Sequence, residues 1–78
     1  MPYKPELIEE LNILTRYDLN TTQVGIKVHQ HDADSKVITA VERLHNKGLI
    51  TQVDGGYLTH LGREAAEHAQ AVMAILKS

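Results

Sequence analysis

Hydroxyl and cationic side chains recur at helical spacing in the middle of the chain, where together they could bind nucleic-acid phosphates and bases. At 100° per residue, Lys36, Thr39 and Arg43 fall on one face of a helix, so they could enter a major groove together. Lysine and arginine supply the counterion release that drives phosphate binding, and helix N-termini also bind phosphates. The residues predicted to bind DNA, including an upstream group that would position its backbone, are Thr22, Gln23, Lys27, Ser35, Lys36, Thr39 and Arg43.

The charge around these residues is close to balanced. The cations of residues 21–48 are Lys27, Lys36, Arg43 and Lys47, and the acids are Asp32, Asp34 and Glu42. The whole chain has 8 Lys+Arg and 10 Asp+Glu, for a formal charge of −2. Because dedicated nucleic-acid binders are usually basic, two functions stay open. One is duplex DNA binding, and the other is a protein-protein interaction module that does not bind DNA.

Five histidines are many for 78 residues, and two of them stand close to an acid in a His-x-His-Asp cluster. His29 and His31 could share a metal ion only if a turn directed both imidazoles inward, and the chain has no cysteine to complete a site. We therefore predict no metal site and no cofactor. Surface histidines gain charge near pH 6.5, so protonation of His29, His31 and His45 would make this region basic.

The residue types in the chain do not favour a catalytic function. The chain has no cysteine, its serines are Ser35 and Ser78, and its acids are scattered along polar faces. A composition with 42% hydrophobic residues is typical of one folded domain and not of disorder. The acidic N-terminal stretch lacks the apolar segment of a signal peptide. We expect a cytoplasmic protein without enzymatic activity.

The first helix is predicted from Pro5 to Thr15, because proline suits the first helical position. Leu7, Leu11 and Leu14 recur at helical spacing and predict one buried stripe, which leaves Ile13 unplaced.

A short second helix is predicted from Thr21 to His29, capped by Asn20 or Thr21, with Gly25 allowing another helix to approach closely. The threonine, valine and isoleucine residues of this segment also fit a strand.

The third helix is predicted from Asp34 or Ser35 to Asn46, with Asp34 as its cap and Gly48 as its stop signal. Its apolar side contains Val37, Ile38, Ala40, Val41 and Leu44. Two β-rich segments, 49–53 and 57–59, flank Asp54-Gly55-Gly56 and predict a hairpin.

The last helix is predicted from His60 to Lys77, with Thr59 as its cap. Its apolar arc covers roughly 220°, which is wider than the ~100° of a one-sided surface helix. This excess predicts a homodimer, with an interface formed by Ala65, Ala69, Val72, Met73 and Leu76. The alternative is that this helix folds entirely onto Leu7, Leu11 and Leu14 of its own chain. His68, on the same apolar face, is predicted to be partly buried or to lie in an interface.

Two stretches of the sequence, residues 35–50 and residues 57–64, resemble parts of winged helix-turn-helix regulators of the MarR and PadR types. Residues 35–50 read SKVITAVERLHNKGLI, similar to their recognition helix and the entry to the wing, and residues 57–64 read YLTHLGRE, similar to the end of the wing. The chain also resembles a short bacterial family of about this length that is assigned as DNA-binding by fold. The predicted elements form a single mainly α domain over residues 1–78, in the order helix-helix-helix-hairpin-helix. The resemblance, which covers about residues 20–70, implies that this domain is a winged helix-turn-helix that binds duplex DNA and regulates transcription.

Overall fold

Three helices and a small antiparallel sheet form the protein in a computed structural model that describes residues 3–29, 31 and 33–78. The elements, in chain order, are α1 (Pro5–Leu14), β1 (Ile26–Lys27), α2 (Ser35–Asn46), β2 (Ile50–Gln52), β3 (Gly55–Leu58) and α3 (His60–Lys77). The strand order in the sheet is β1-β3-β2. The prediction of a mainly helical chain with a small β-hairpin is confirmed.

α1 begins at Pro5 as predicted, but it buries a different stripe. Ile13 and Leu14 are buried, whereas Leu7 and Leu11 are 39% and 38% exposed. The predicted stripe is therefore wrong for Leu7 and Leu11. Both stripes have helical spacing, and α1 packs on α2 through the one that contains Glu10, Ile13 and Leu14.

Residues 21–29 do not form the predicted second helix. Ile26 and Lys27 pair instead with Gly56 and Gly55 of β3, and the Val28 N–H donates to the Asp54 carbonyl at 2.8 Å. The β-branched residues of this segment favour a strand once β3 offers a free edge. A Cβ at Gly25 would lie 2.5 Å from the Gly56 carbonyl oxygen. The close approach predicted at Gly25 therefore occurs between strands, not between helices.

α2 is the predicted third helix. The Asp34 carboxylate accepts a hydrogen bond from the Lys36 N–H at 2.9 Å, and the chain leaves the helix through Gly48, whose φ is +80°. The apolar side faces the body of the protein, because Ala40, Val41 and Leu44 are buried while Val37 and Ile38 are half-buried. The opposite side is left to polar residues.

The hairpin forms where it was predicted, with a tighter turn. β3 begins at Gly55, so the turn consists of Val53 and Asp54 alone. Gly55 and Gly56 have φ values of +129° and +75°, which glycine adopts more readily than other residues.

The start of α3 is attached to the rest of the fold by one short motif. The Thr59 hydroxyl accepts from the Gly62 N–H at 3.0 Å and donates to the Gly48 carbonyl at 2.6 Å. Gly62 packs so closely on the backbone of Leu49 that a Cβ there would overlap the Leu49 carbonyl oxygen. The Arg63 guanidinium donates to the Leu19 carbonyl. These contacts show that the LTHLGR motif, residues 58–63, has a structural role: it attaches the start of α3 to the rest of the fold.

The core lies between the three helices and the sheet. Its largest fully buried side chains are Ile13, Val41 and Leu44. Tyr17, which the sequence placed in a connector, is also buried, and its hydroxyl donates to the Gly56 carbonyl at 3.1 Å. Burial raises the pKa of Tyr17 to about 12. The described helices include none with the length and apolar character needed to cross a membrane.

Candidate functional site

The exposed side of α2 carries the first part of the predicted DNA-binding group. Ser35, Lys36 and Thr39 are all exposed, at the N-terminal half of the helix. The Thr39 hydroxyl donates to the carbonyls of Ser35 and Lys36, at 3.0 and 3.2 Å, so it keeps acceptor capacity toward solvent. A ligand approaching this face meets one amine and two hydroxyl groups.

Arg43 was predicted to join this group, and the structure turns its guanidinium toward α1. Its Nε donates to Glu10 Oε2 at 3.0 Å, and its Nη2 donates to the Glu6 carbonyl at 3.1 Å. Lys47, at the C-terminal cap of α2, pairs with the other oxygen of the same carboxylate. Arg43 therefore links α1 to α2. Its guanidinium points toward α1, whereas the sequence pattern predicted that it would enter a DNA groove.

Glu10 is the buried group that holds this arrangement together. Its side chain is only 7% exposed. Burial by itself raises the pKa of Glu10, but hydrogen bonds from Lys47 and Arg43 and their charges outweigh burial, so the pKa is lowered. The charged carboxylate compensates two of the four cations of residues 21–48. No local sequence pattern predicts these ion pairs, because Glu10 lies more than thirty residues from both partners.

The upstream candidates lie on a connector and a strand instead of a supporting helix. Thr22 and Gln23 are exposed, and the Gln23 N–H donates to the Thr21 hydroxyl at 3.0 Å in a local turn. Lys27 is exposed on β1. The prediction that these residues share one helix is wrong, whereas their exposure to solvent is as expected.

The end of β1 and the hairpin turn lie along α2. One small cleft is lined by Val28, Ile38, Val41, Glu42, Val53 and Asp54. Two carboxylates, Glu42 and Asp54, therefore border the side of α2 that lies next to the hairpin turn. They repel phosphate there, so the usable polar surface of α2 is its N-terminal half.

The histidines do not assemble into a site in the part of the chain that the structure describes. His29 and His31 are exposed and His45 is half-buried, while Asp32 of the predicted cluster lies outside the described residues. Among described residues there is no group of three or more His, Asp or Glu side chains placed to hold a metal ion.

A wide apolar groove runs between α1 and α3 on another side of the molecule. We call it the α1–α3 groove, and its main apolar lining is Ile8, Leu11, Ala65, Ala69, Val72, Met73 and Leu76. All five residues of the predicted dimer interface lie in this lining. Val72 and Leu76 are 54% and 73% exposed.

α3 does not fold entirely onto its own chain. Its buried residues are Gly62 and Ala66, and residues 71–78 are all exposed. Leu61, in the first turn of α3, is 54% exposed. His68 is exposed as well and lies along the α1–α3 groove, so it is not partly buried within a single chain. The alternative in which α3 packs completely on Leu7, Leu11 and Leu14 is therefore wrong.

Comparisons with known proteins give one family. No match to the chain was found among curated proteins or among solved structures. A family model does match residues 1–77, which is nearly the whole chain. The chain belongs to the family of unknown function DUF5669.

Proposed function

We propose that the protein binds duplex DNA through the solvent-facing N-terminal half of α2. The observation that carries this proposal is the exposure of Ser35, Lys36 and Thr39 on one helix whose opposite side is fixed in the core. A helix presented in this way fits the width of a major groove. The resemblance of residues 35–50 and 57–64 to MarR-type and PadR-type regulators supports the same function and implies a role in transcription.

The sheet order supports this proposal at the level of the fold. α2 leads directly into the β2–β3 hairpin, and β1 pairs with β3 on its free edge. A winged helix likewise places a recognition helix before a hairpin, although here the segment expected as the supporting helix contains β1 instead. We propose α2 as the recognition helix, with α1 taking the supporting position through the Glu10 ion pairs.

The charges predict the character of this binding. Among the described residues of this region, Arg43 and Lys47 pair with Glu10, which leaves Lys27 and Lys36 as the exposed lysines with no recorded ion pair. About two phosphate contacts per chain give a logarithmic salt dependence with a slope near −2, which is shallow for a DNA-binding protein. Binding is therefore expected to be weak and to be strongest at low salt.

Replacing Lys36 tests the proposal directly. Lys36→Ala should weaken binding to a labelled duplex and reduce the salt slope by about one unit, because one phosphate contact is lost. Fluorescence anisotropy between about 50 and 200 mM salt measures both quantities. Lys4→Ala removes another exposed lysine, the one that precedes α1, and should leave both unchanged. Equal effects of the two variants would show that the protein attracts DNA only through its overall charge.

A protein-protein interaction module is the second candidate, and the α1–α3 groove is the observation that favours it. The groove is lined mainly by apolar side chains, whereas the polar face of α2 offers a single lysine. Absence of DNA binding by the wild-type chain at about 50 mM salt would favour this second function.

A further inference from the structure

One side of α3 carries a seam of four apolar residues and one histidine. Leu61, Ala65, His68, Val72 and Leu76 follow one another at intervals of four and three residues. At 100° per residue they fall within about 80° of one another, which is typical of the contact line between two packed helices. The seam contains no Lys, Arg, Asp or Glu, and depletion of charge is what distinguishes the centre of a protein interface.

The accessible surface of the chain is larger than that of a self-contained protein of its size. Monomeric proteins of 8.7 kDa expose about 4,700 Å². This chain exposes 5510 Å². The excess of roughly 800 Å² equals what each partner buries in a standard protein-protein interface.

We propose that a second copy of this chain covers the α1–α3 groove, with α1 and α3 of each copy forming a two-fold four-helix interface. The part of α3 that lines the groove is self-complementary when two α3 helices pack antiparallel about a midpoint between Gln70 and Ala71. Ala65 then faces Leu76 of the other copy, and Ala69 faces Val72. Each small residue lies opposite a large one, which is the arrangement that lets apolar layers interdigitate.

α1 supplies the other half of the covered surface. Ile8 and Leu11 line the groove and are 45% and 38% exposed, although both are residue types that are usually buried. Their exposure is unfavourable in a single chain and is relieved in the proposed interface. The interface is independent of DNA binding, since it leaves Ser35, Lys36 and Thr39 on α2 free.

The test is the molecular mass in solution, compared between two valine variants. We expect the wild-type chain to sediment at twice 8.7 kDa at about 100 µM. Val72→Glu should restore the single-chain mass by raising the dimer Kd at least about 100-fold, because it places a charge in an apolar interface. Val24→Glu is the matched control, since Val24 is 57% exposed, Val72 is 54% exposed, and Val24 lies outside the groove.

Both variants should keep the wild-type circular dichroism, because both valines are more than half exposed in the single chain. His68→Leu provides a gain-of-affinity variant, and by adding apolar area to the seam it should lower the dimer Kd about tenfold. A wild-type mass of 8.7 kDa would overturn the proposal and leave the groove to a different protein. A dimer that survives Val72→Glu but dissociates with Val24→Glu would overturn it too.

Discussion

Glu10 is a charged residue of α1 that lies in the protein interior instead of on the solvent-exposed surface of the helix. Its carboxylate is almost fully buried, and it accepts hydrogen bonds from Arg43 and Lys47. Both cations keep part of their exposure, 31% and 47%, so solvent screens their attraction to the carboxylate. The ion pairs therefore fix the position of α1 on α2 with a modest gain in stability.

Glu10→Gln should destabilise the protein by about 1–2 kcal/mol at neutral pH, since it keeps the shape and removes the charge. The pKa of Glu10 is lowered on folding, so its contribution is complete above the unfolded pKa of about 4.3. This contribution is lost as the pH falls through the lower folded value. Urea unfolding of both proteins at pH 7 and at about pH 3 should show the difference shrinking in acid.

Glu6→Gln is the control for this measurement, because Glu6 is an exposed carboxyl in the first turn of the same helix. It should change stability by only a few tenths of a kcal/mol. A difference between wild type and Glu10→Gln that stays constant from pH 7 to acid would contradict the role of the ionised carboxylate.

Gly62 is the residue that sets the distance between α3 and the segment after α2. Within a helix, replacing glycine by alanine normally stabilises the helix by about 1 kcal/mol. Gly62→Ala should nevertheless cost about 2 kcal/mol or more, because the new methyl group meets the rigid backbone of Leu49. Chemical unfolding measures this cost, and Ala71→Gly at an exposed position of α3 measures the helix propensity alone. An increase in stability for Gly62→Ala would show that α3 can shift freely.

At the scale of elements, local signals predicted α2, the hairpin and α3, but tertiary pairing decided the rest. Asp34 and Thr59 cap their helices through the expected side-chain hydrogen bonds. β1 has only two paired residues and exists because β3 lies beside it, a partner thirty residues away that no local pattern reveals. The burial of Ile13 also depends on tertiary contacts. α1 has two apolar stripes at helical spacing, and only its packing on α2 determines which of them is buried.

For the candidate site, too, local patterns predict one part and tertiary contacts decide the other. The exposure of Ser35, Lys36 and Thr39 follows from the periodicity of α2 and was predictable. The loss of Arg43 to an ion pair with Glu10 was not, because that contact joins residues 33 positions apart. Sequence periodicity therefore identifies which side of a helix faces outward, and only the packed structure shows which outward charges are already compensated.

At the scale of the whole molecule, the two proposals use different surfaces and different physical forces. The polar face of α2 attracts phosphate and loses affinity as salt is added. The α1–α3 groove is apolar, and its burial depends little on ionic strength. A salt titration therefore separates them, because DNA binding should weaken over a range in which the dimer mass stays constant.

Thermal unfolding gives the dimer a signature that no single-chain protein shows. If unfolding separates two copies, raising the protein concentration favours the folded dimer by mass action. For two chains of 78 residues, a tenfold rise in concentration should increase Tm by about 4 °C. Val72→Glu should remove this dependence, while Val24→Glu should keep it, and scans at about 10 and 100 µM suffice to measure both. A wild-type Tm that does not change with concentration would mean that no second copy of the chain covers the seam of α3.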